Sequence, residues 1–240
     1  MRVVSLCPSL TDSVFALGRG AELVGRTKFC VQPAGLVDLV ERVGGTKNPQ
    51  LDRIVALRPD VVLMNEEENR REDADALLAA GVRVLSTFAC DVAGAVRSLR
   101  AIGEALFADA EPLARAIERR AVEVAARVRH RRSYAYLIWR DPLMAAGPGT
   151  YIDALLGVAG GANIATGDRY PTLDAHTLAR AERILLSSEP FPFSDRHREE
   201  LAEAAGVPAE RIHLVDGELL SWHGAKTLEG LAYAESVLSG

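Results

Sequence analysis

Three consecutive glutamates, Glu66 to Glu68, lie in the segment NEEENRRED at residues 65–73. Such a group could bind a metal, form a solvated turn, begin a helix or dock a partner. It follows the apolar run DVVLM (60–64), which predicts a position at the end of a strand. Adjacent side chains of an extended segment point in opposite directions, so we do not expect all three to bind one metal. We expect Glu66 or Glu67 to face a ligand, and Asn69 with Glu72 to cap the following helix.

Familiar catalytic motifs are absent from the sequence. It contains no glycine-rich dinucleotide motif, no Walker A segment, no H-E-x-x-H and no G-x-S-x-G. The five histidines, at 130, 176, 197, 213 and 223, do not have metal-ligand spacing. The three cysteines, at 7, 30 and 90, form neither C-x-x-C nor a disulfide framework. We therefore predict a protein that is not an enzyme and requires no cofactor.

Aromatic and charged side chains concentrate in the segments that follow the predicted strands, although aromatic residues make up only 5% of the chain. In an open parallel α/β sheet, ligands bind outside the carboxyl ends of the strands. The apolar candidates for ligand contact are Phe29, Trp139, Tyr151, Tyr170, Phe191 and Trp222. The polar candidates are Lys28, Glu66, Glu67, Arg140, Glu189 and His223. Aromatic surface with a few polar anchors predicts a site for a sizeable organic ligand.

Several of these residues have alternative roles. Trp139 ends a predicted strand and could belong to the core. His223 could be an axial metal ligand or simply make a hydrogen bond, and Cys30 could be a ligand or a small buried residue. Lys28 and Arg140 could pair with carboxylates of the ligand or with the glutamates of the chain.

Short runs rich in Val, Ile and Leu alternate with helical patterns along the chain. The predicted strands are 2–6, 22–25, 60–64, 82–87, 133–139, 183–187 and 211–215. The predicted helices are 9–18, 50–59, 71–80, 93–107, 150–160, 174–181, 195–206 and 225–239. Ser9 and Asp12 are predicted to form a capping box. The alternation predicts an α/β fold of two Rossmann-like lobes with mostly parallel sheets.

The segment at 111–132 predicts a long helix between these lobes. It has no glycine, its apolar residues recur at helical spacing, and Pro112 lies near its start. If it were helical throughout, it would span roughly 33 Å. We predict an N-terminal lobe at 1–109, a connecting backbone helix at 110–132 and a C-terminal lobe at 133–240. The alternative is an amphipathic helix packed inside one domain.

The composition of the chain limits which partners the protein is expected to bind and where it is expected to be located. The 240 residues are 48% hydrophobic and 25% charged, which is ordinary for a globular chain. The formal net charge of −5 argues against nucleic-acid binding, and no apolar run approaches the ~20 residues of a membrane span. The first residues show no secretory signal, so the sequence as it stands predicts a cytoplasmic protein, or a periplasmic one if a signal has been removed. We expect a monomer.

The chain resembles the helical-backbone metal receptors, the class III periplasmic substrate-binding proteins that serve importers of vitamin B12, ferric siderophores and haem. The resemblance covers nearly the whole chain. It is carried by RVVSLCPSLTDSVFALG (2–18), VGGTKNPQLDRIVALRPDVVL (43–63), GVRVLSTF (81–88) and TYIDALLGVAGGANI (150–164). The segments TKFC, EEENRRED, SSEPFPF and SWHG resemble a cobalamin-binding-like subgroup that often lacks a signal peptide.

This resemblance implies two α/β lobes joined by one long helix, little hinge motion, and a ligand in the cleft between the lobes. The expected ligand is cobalamin or another metal chelate, and a partner could be an ABC importer permease. Acids that would meet arginines of that importer are Glu72 in the first lobe and one of Glu199, Glu200 and Glu203 in the second.

Two alternatives to a binding protein for transport remain open at this point. The first is a cytoplasmic enzyme or metal-binding protein on the same scaffold, in which acids at the cleft converge with His223 and Cys30 on one metal. The second is a ligand-sensing module for a cytoplasmic partner.

Overall fold

A computed structural model of the chain describes residues 1–239, which form two compact units. The first unit comprises Met1–Ala89, Ala93–Ile117 and His223–Lys226. The second comprises Cys90–Val92, Glu118–Trp222 and the chain from Thr227 onward. Each unit has its own sheet and its own buried core.

The sheet of the first unit has five parallel strands in the order β3-β2-β1-β4-β5. They are β1 (Val3–Ser5), β2 (Leu23–Arg26), β3 (Glu41–Arg42), β4 (Val61–Asn65) and β5 (Val84–Thr87). Both faces of the central strands are buried. Val3 packs into one apolar cluster with Leu10 and Ile102, whereas Val4 packs into another with Ile54 and Leu77. Burial on both faces explains why these strands are continuous apolar runs rather than alternating ones.

Helices cover the two faces of this sheet. They are α1 (Pro8–Ala16), α2 (Leu51–Ala56), α3 (Arg71–Ala79) and α4 (Val92–Ala105). The predicted capping box at Ser9 is wrong, because α1 begins one residue earlier with Pro8 in its first turn and Cys7 at the cap. Proline suits that position, since its missing N–H would have no partner within the helix.

Helix α5 (Glu111–Arg127) begins in the first unit and ends in the second. It has 17 residues, or about 25 Å, and ends five residues before the predicted limit at 132. Beyond it, Arg132 already belongs to the next strand, because Arg132 pairs with Gly161 and Ser133 pairs with Ala162. The role of this helix as a connecting backbone stays a prediction.

The second unit has a mixed sheet in the order β10-β9-β6-β7, with β8 pairing to β6. Its strands are β6 (Arg132–Trp139), β7 (Met144–Ala145), β8 (Gly161–Asn163), β9 (Arg183–Ser187) and β10 (Ile212–Val215). All pairings are parallel except that of the short β7 with β6. The carboxyl ends of β6, β9 and β10 therefore lie side by side along one edge.

The helices of the second unit follow its strands in the expected alternation. They are α6 (Tyr151–Val158), α7 (Ala175–Leu178), α8 (Asp195–Ala205), α9 (Gly217–Ser221) and α10 (Thr227–Ser239). Several begin at side-chain caps, for example α6, whose Thr150 accepts a hydrogen bond from the Asp153 backbone N–H. Among residues 1–239, no helix combines the length and apolar character that crossing a bilayer requires.

Phe107 lies at the C-terminal end of α4 in the left-handed conformation, with φ of 50° and a side chain that is 77% exposed. Glycine normally occupies such a position because a Cβ is strained there. We expect Phe107→Gly to raise the free energy of unfolding by about 0.5–1 kcal/mol, measured by urea denaturation. Phe107→Ala removes the ring but keeps the Cβ, and equal stabilisation by both variants would contradict backbone strain as the cause.

Candidate functional site

The segment after β2 presents an aromatic ring and a cation in the first unit. Phe29 is half exposed, and the Lys28 Nζ lies 4.9 Å from the centre of its ring. Gly45 packs beside them, since a Cβ added there would lie 3.4 Å from the ring of Phe29. The two predicted residues therefore share one surface at the carboxyl edge of the sheet.

Arg26 holds the base of this segment and is only 1% exposed. Its Nε donates to the carbonyl of Val37 at 2.9 Å, and its Nη1 donates to the carbonyls of Cys30 at 2.9 Å and Thr27 at 3.3 Å. Its Nη2 reaches Asp38 Oδ1 at 3.4 Å. The loop that carries Lys28 and Phe29 is thus held in place by hydrogen bonds from a buried guanidinium rather than by regular secondary structure. Nothing in the sequence pattern marked this arginine.

Glu66 and Glu67 follow β4 at the same edge. The Asn65 Oδ1 accepts from the backbone N–H groups of Glu67 and Glu68 at 3.0 and 3.2 Å, which turns the chain sharply. Lys47 Nζ donates to the backbone carbonyl of Glu67 at 2.6 Å. Within residues 1–239, no group of three or more His, Cys, Asp or Glu side chains could hold a metal ion. The three-glutamate metal cluster is accordingly not formed.

The predicted cap at Asn69 is wrong. Helix α3 begins at Arg71, its cap residue is Arg70, and no side chain caps it. The Asn69 Nδ2 donates instead to the carbonyls of Leu6 and Thr46 at 3.0 Å each, and its Oδ1 accepts from the N–H of Asn65 at 2.8 Å. This buried amide ties together the segments that follow β1, β3 and β4.

His223 is buried in the first unit rather than exposed at a surface. Its Nε2 lies 2.9 Å from Asn65 Nδ2. Because the Asn65 Oδ1 already faces two N–H donors, its amide nitrogen must face the imidazole, whose Nε2 therefore accepts the hydrogen bond. Burial lowers the pKa of His223 to about 4, so the ring is neutral near pH 7. The sequence left two roles open for His223, an axial metal ligand or a hydrogen-bond partner. In the structure it makes the hydrogen bond.

Sequence reasoning missed Phe88, which directly follows β5 and is 41% exposed. Strands β2 and β5 are separated by β1 and β4, so Phe29 and Phe88 follow strands about 14 Å apart along the sheet edge. The rule that found Phe29 would also have found Phe88, because both are aromatic residues in segments that follow predicted strands.

In the second unit, an aromatic group follows β6 and β9. Trp139 is 42% exposed and lies edge-on to Phe191, with ring centres 5.8 Å apart. Phe191 also packs against Phe193 and His197, at 4.8 and 5.2 Å between ring centres. Trp139 is therefore not a core residue, and Phe191 both supports it and packs its own loop onto α8.

The two charged candidates of this unit have different surroundings. Arg140 pairs with Glu200 at 2.6 Å, and both side chains are partly exposed. Glu189, after β9, is half-buried, and its Oε1 accepts from Ser221 Oγ at 2.7 Å and from Trp222 Nε1 at 2.8 Å. Burial raises the pKa of Glu189, while these two hydrogen bonds oppose the rise. Trp222 is buried, so its indole positions Glu189 rather than offering a free face.

The two tyrosines differ in exposure. Tyr151 is buried in the second unit, and its hydroxyl donates to Thr227 Oγ1 at 2.9 Å, so we assign it a structural role. Tyr170 is 41% exposed, with the guanidinium carbon of Arg169 5.9 Å from the centre of its ring. Cys30 is fully buried beside Thr27, and burial raises the pKa of its thiol, so it is a small core residue.

Comparison with known proteins identifies relatives across nearly the whole chain. Residues 3–190 match the family model described as periplasmic binding protein. An ABC transporter substrate-binding lipoprotein of Bacillus subtilis is 28% identical over 252 residues, covering 98% of this chain and 79% of that protein.

Solved structures share the fold. The periplasmic vitamin B12 binding protein of Vibrio cholerae has a TM-score of 0.82 at 18% identity, covering 99% of this chain and 96% of that one. A periplasmic heme binding protein of Pseudomonas aeruginosa has a TM-score of 0.83 at 25% identity, covering 100% and 93%. The predicted α/β fold class is confirmed, and the family match supports a binding protein rather than the metal-centred alternative.

Proposed function

Because the chain belongs to the periplasmic binding protein family, we propose that it binds a metal chelate of the cobalamin, ferric-siderophore or haem class. One observation carries the choice of ligand class: half-exposed aromatic rings lie at or just after the carboxyl ends of strands in each unit. In the first unit Phe29 lies three residues after β2 and Phe88 directly follows β5, and in the second unit Trp139 is the last residue of β6. Exposed rings of this size favour contact with a large, flat and largely apolar ligand.

The spacing of the rings supports a ligand of macrocycle size. The strands before Phe29 and Phe88 lie about 14 Å apart, which is wider than a single small metabolite needs. Truncation of an aromatic side chain in such a contact costs about 1–3 kcal/mol of binding free energy. Direct coordination of the metal by this chain is not needed, because the chelate brings its own ligands.

Charge favours a corrinoid within this class. The segments after the strands contain more acids than bases, namely Glu66, Glu67, Glu68, Glu189 and Asp216 against Lys28, Lys47 and Arg140. Arg140 is already paired with Glu200. Haem carries two carboxylates, whereas the rim of cobalamin carries neutral amides. Surplus acid at the strand ends of each unit would therefore repel haem and accept the N–H groups of a corrinoid.

The partner proposed for this binding protein is the permease of an ABC importer, as the description of the Bacillus subtilis relative supports. Delivery to a permease requires binding and release only, so the site needs no catalytic residues. A periplasmic or lipoprotein-like location is proposed on the same basis.

The test is a ligand panel of cyanocobalamin, hemin and a ferric hydroxamate siderophore, with absorbance spectra and melting temperature as readouts. At a concentration about 100 times Kd, the true ligand should raise the melting temperature by about 5–10 °C. Phe29→Ala and Trp139→Ala should each weaken binding at least about fivefold. Phe107→Ala is the matched control, because this exposed aromatic does not follow a strand.

Absence of any shift with all three ligands would contradict the proposal. Equal loss of affinity in the Phe107→Ala control would contradict the assignment of the aromatic surface. Roughly one tightly held transition metal per chain in purified protein without organic ligand would favour the metal-binding alternative.

A further inference from the structure

Glu189 is the carboxylate that the second unit holds most firmly at its strand ends. Ser221 and Trp222 both donate to the same oxygen, Oε1, at 2.7 and 2.8 Å. Two donors on one oxygen fix the plane and the direction of the carboxylate. They also leave the second oxygen, Oε2, as the atom that can meet a ligand.

The backbone around Glu189 is shaped to hold this side chain. A Cβ added to Gly217 would lie 2.6 Å from the Cγ of Glu189 and 2.5 Å from the Oγ of Ser187. No side chain fits at that distance, so glycine at 217 lets the carboxylate pack against the start of α9. Below it, the hydroxyls of Tyr136 and Ser187 lie 2.9 Å apart in the buried core. Glu189 is thus positioned before any ligand arrives.

The electrostatic surroundings of Glu189 differ from those of an ion pair. Desolvation raises its pKa, the hydrogen bonds from Ser221 and Trp222 lower it, and the carboxylate of Asp216 after β10 raises it again. The charged group that shifts the pKa of Glu189 is therefore another acid, Asp216, and not a base. A half-buried carboxylate in such surroundings gains most from a neutral N–H donor or a cation, and it repels a third carboxylate.

We propose that Glu189 determines ligand selectivity, accepting a hydrogen bond through Oε2 from an amide or amine N–H of the ligand and rejecting ligands that present a carboxylate there. This inference rests on the proposed function, since it concerns the same site. The simpler alternative is that Glu189 only anchors Trp222 and has no role toward the ligand.

The variant Glu189→Gln separates these two roles. Ser221 and Trp222 both donate, so they hold the carbonyl oxygen of the glutamine at the position of Oε1. The NH2 group then replaces Oε2, which turns the outward acceptor into a donor while the anchor to Trp222 is kept. We expect the Kd for cyanocobalamin to rise at least tenfold and the ratio of hemin to cyanocobalamin affinity to increase by more than tenfold.

The pH dependence provides a second readout. In the wild type, affinity for cyanocobalamin should fall as the pH decreases toward the raised pKa of Glu189, because a proton on the carboxyl removes the acceptor. The difference between wild type and Glu189→Gln isolates the contribution of Glu189. The control is Glu210→Gln, an equal change of charge at an exposed position of the same unit.

The outcomes are distinct. If the wild type binds none of cyanocobalamin, hemin and the ferric hydroxamate siderophore, the proposed function fails and this inference fails with it. If it binds the ferric siderophore alone, the proposed function stands and the selectivity role of Glu189 is overturned. If the wild type binds cyanocobalamin but Glu189→Gln binds it within twofold, only the selectivity role is overturned. An equal loss for both ligands, or a fall in melting temperature that matches the loss of affinity, overturns it as well, because it indicates a merely structural role. An increase of more than tenfold in the ratio of hemin to cyanocobalamin affinity in Glu189→Gln, with Glu210→Gln unchanged, supports it.

Discussion

Replacement of Arg26 by methionine is expected to lower the free energy of unfolding of the first unit by about 3–5 kcal/mol. Methionine has a similar length and can occupy the apolar part of the site, but it cannot donate hydrogen bonds. The buried carbonyl of Cys30 would then lose the donor that Arg26 supplies, and the carbonyls of Thr27 and Val37 would each keep only a backbone N–H donor, from Cys30 and Val40. Each unsatisfied buried acceptor costs about 1–3 kcal/mol, only part of which the loop can recover by moving into water.

Arg42→Met is the matched control for this variant. Arg42 lies opposite Arg26 in the β2–β3 pairing and also approaches Asp38, at 4.0 Å, but its side chain is 65% exposed. An exposed ion pair of this kind contributes about 0–1 kcal/mol, so its loss should be small.

Hydrogen exchange of the β1 and β4 amides measures the free energy of the unit that contains both arginines. Arg26→Met should also weaken ligand binding at least tenfold, because Arg26 shapes the loop that carries Phe29. If the losses of unfolding free energy in Arg26→Met and Arg42→Met differ by less than about 1 kcal/mol, Arg26 does not organise this loop.

Acidification is expected to lower the free energy of unfolding by about 3 kcal/mol through the protonation of His223 alone. Burial lowers the pKa of this histidine from 6.5 to about 4. Between these pH values the imidazole is protonated in the unfolded chain but neutral in the folded chain. The contribution is fully present above pH 6.5 and is lost progressively as the pH falls from 6.5 to about 4. Below that range the folded state takes up the proton as well, and the loss stops growing.

His223→Gln removes this dependence while leaving an amide oxygen that can accept from Asn65. Urea unfolding at intervals between pH 4 and pH 8, followed by circular dichroism, compares the slopes of the two proteins. His213, whose pKa is lowered by burial, and Glu189, whose pKa is raised by burial, titrate in both, so the difference in slope belongs to His223. His176→Gln, at an exposed position of α7, is the control and should retain the wild-type slope. Parallel slopes for wild type and His223→Gln would rule out a buried neutral imidazole.

Local sequence was sufficient to place most of the candidate site. Phe29, Glu66, Trp139 and Glu189 were selected because each ends or follows an apolar run, and all four lie at the carboxyl ends of strands in the structure. Apolar runs and the turns between them are local features. Within each sheet, parallel pairing then brings the strand ends to one edge without further information. Their contact with a ligand stays a proposal.

The errors arose where a side chain bonds to distant parts of the chain. Asn69 has the type and position of a helix cap, yet its partners Leu6 and Thr46 are 63 and 23 residues away. The end of α5 was misplaced for a related reason, because Arg132 is recruited into the sheet by β8. Helix propensity is a weak preference that tertiary pairing overrides.

The sequence by itself determined the order of the longer helices and strands, the mostly parallel pairing and the family, because apolar periodicity and short motifs are written in neighbouring residues. It did not predict the short elements β3, β7, β8 and α9. Only the tertiary structure decided which candidates are exposed. Trp139 and Trp222 looked alike as aromatic residues at the ends of elements, yet one is half exposed and the other is buried against Glu189. The role of His223 was decided by its hydrogen bond to Asn65, which is 158 residues away in the sequence. Burial and hydrogen bonding depend on which segments meet in space, and no local pattern contains that information.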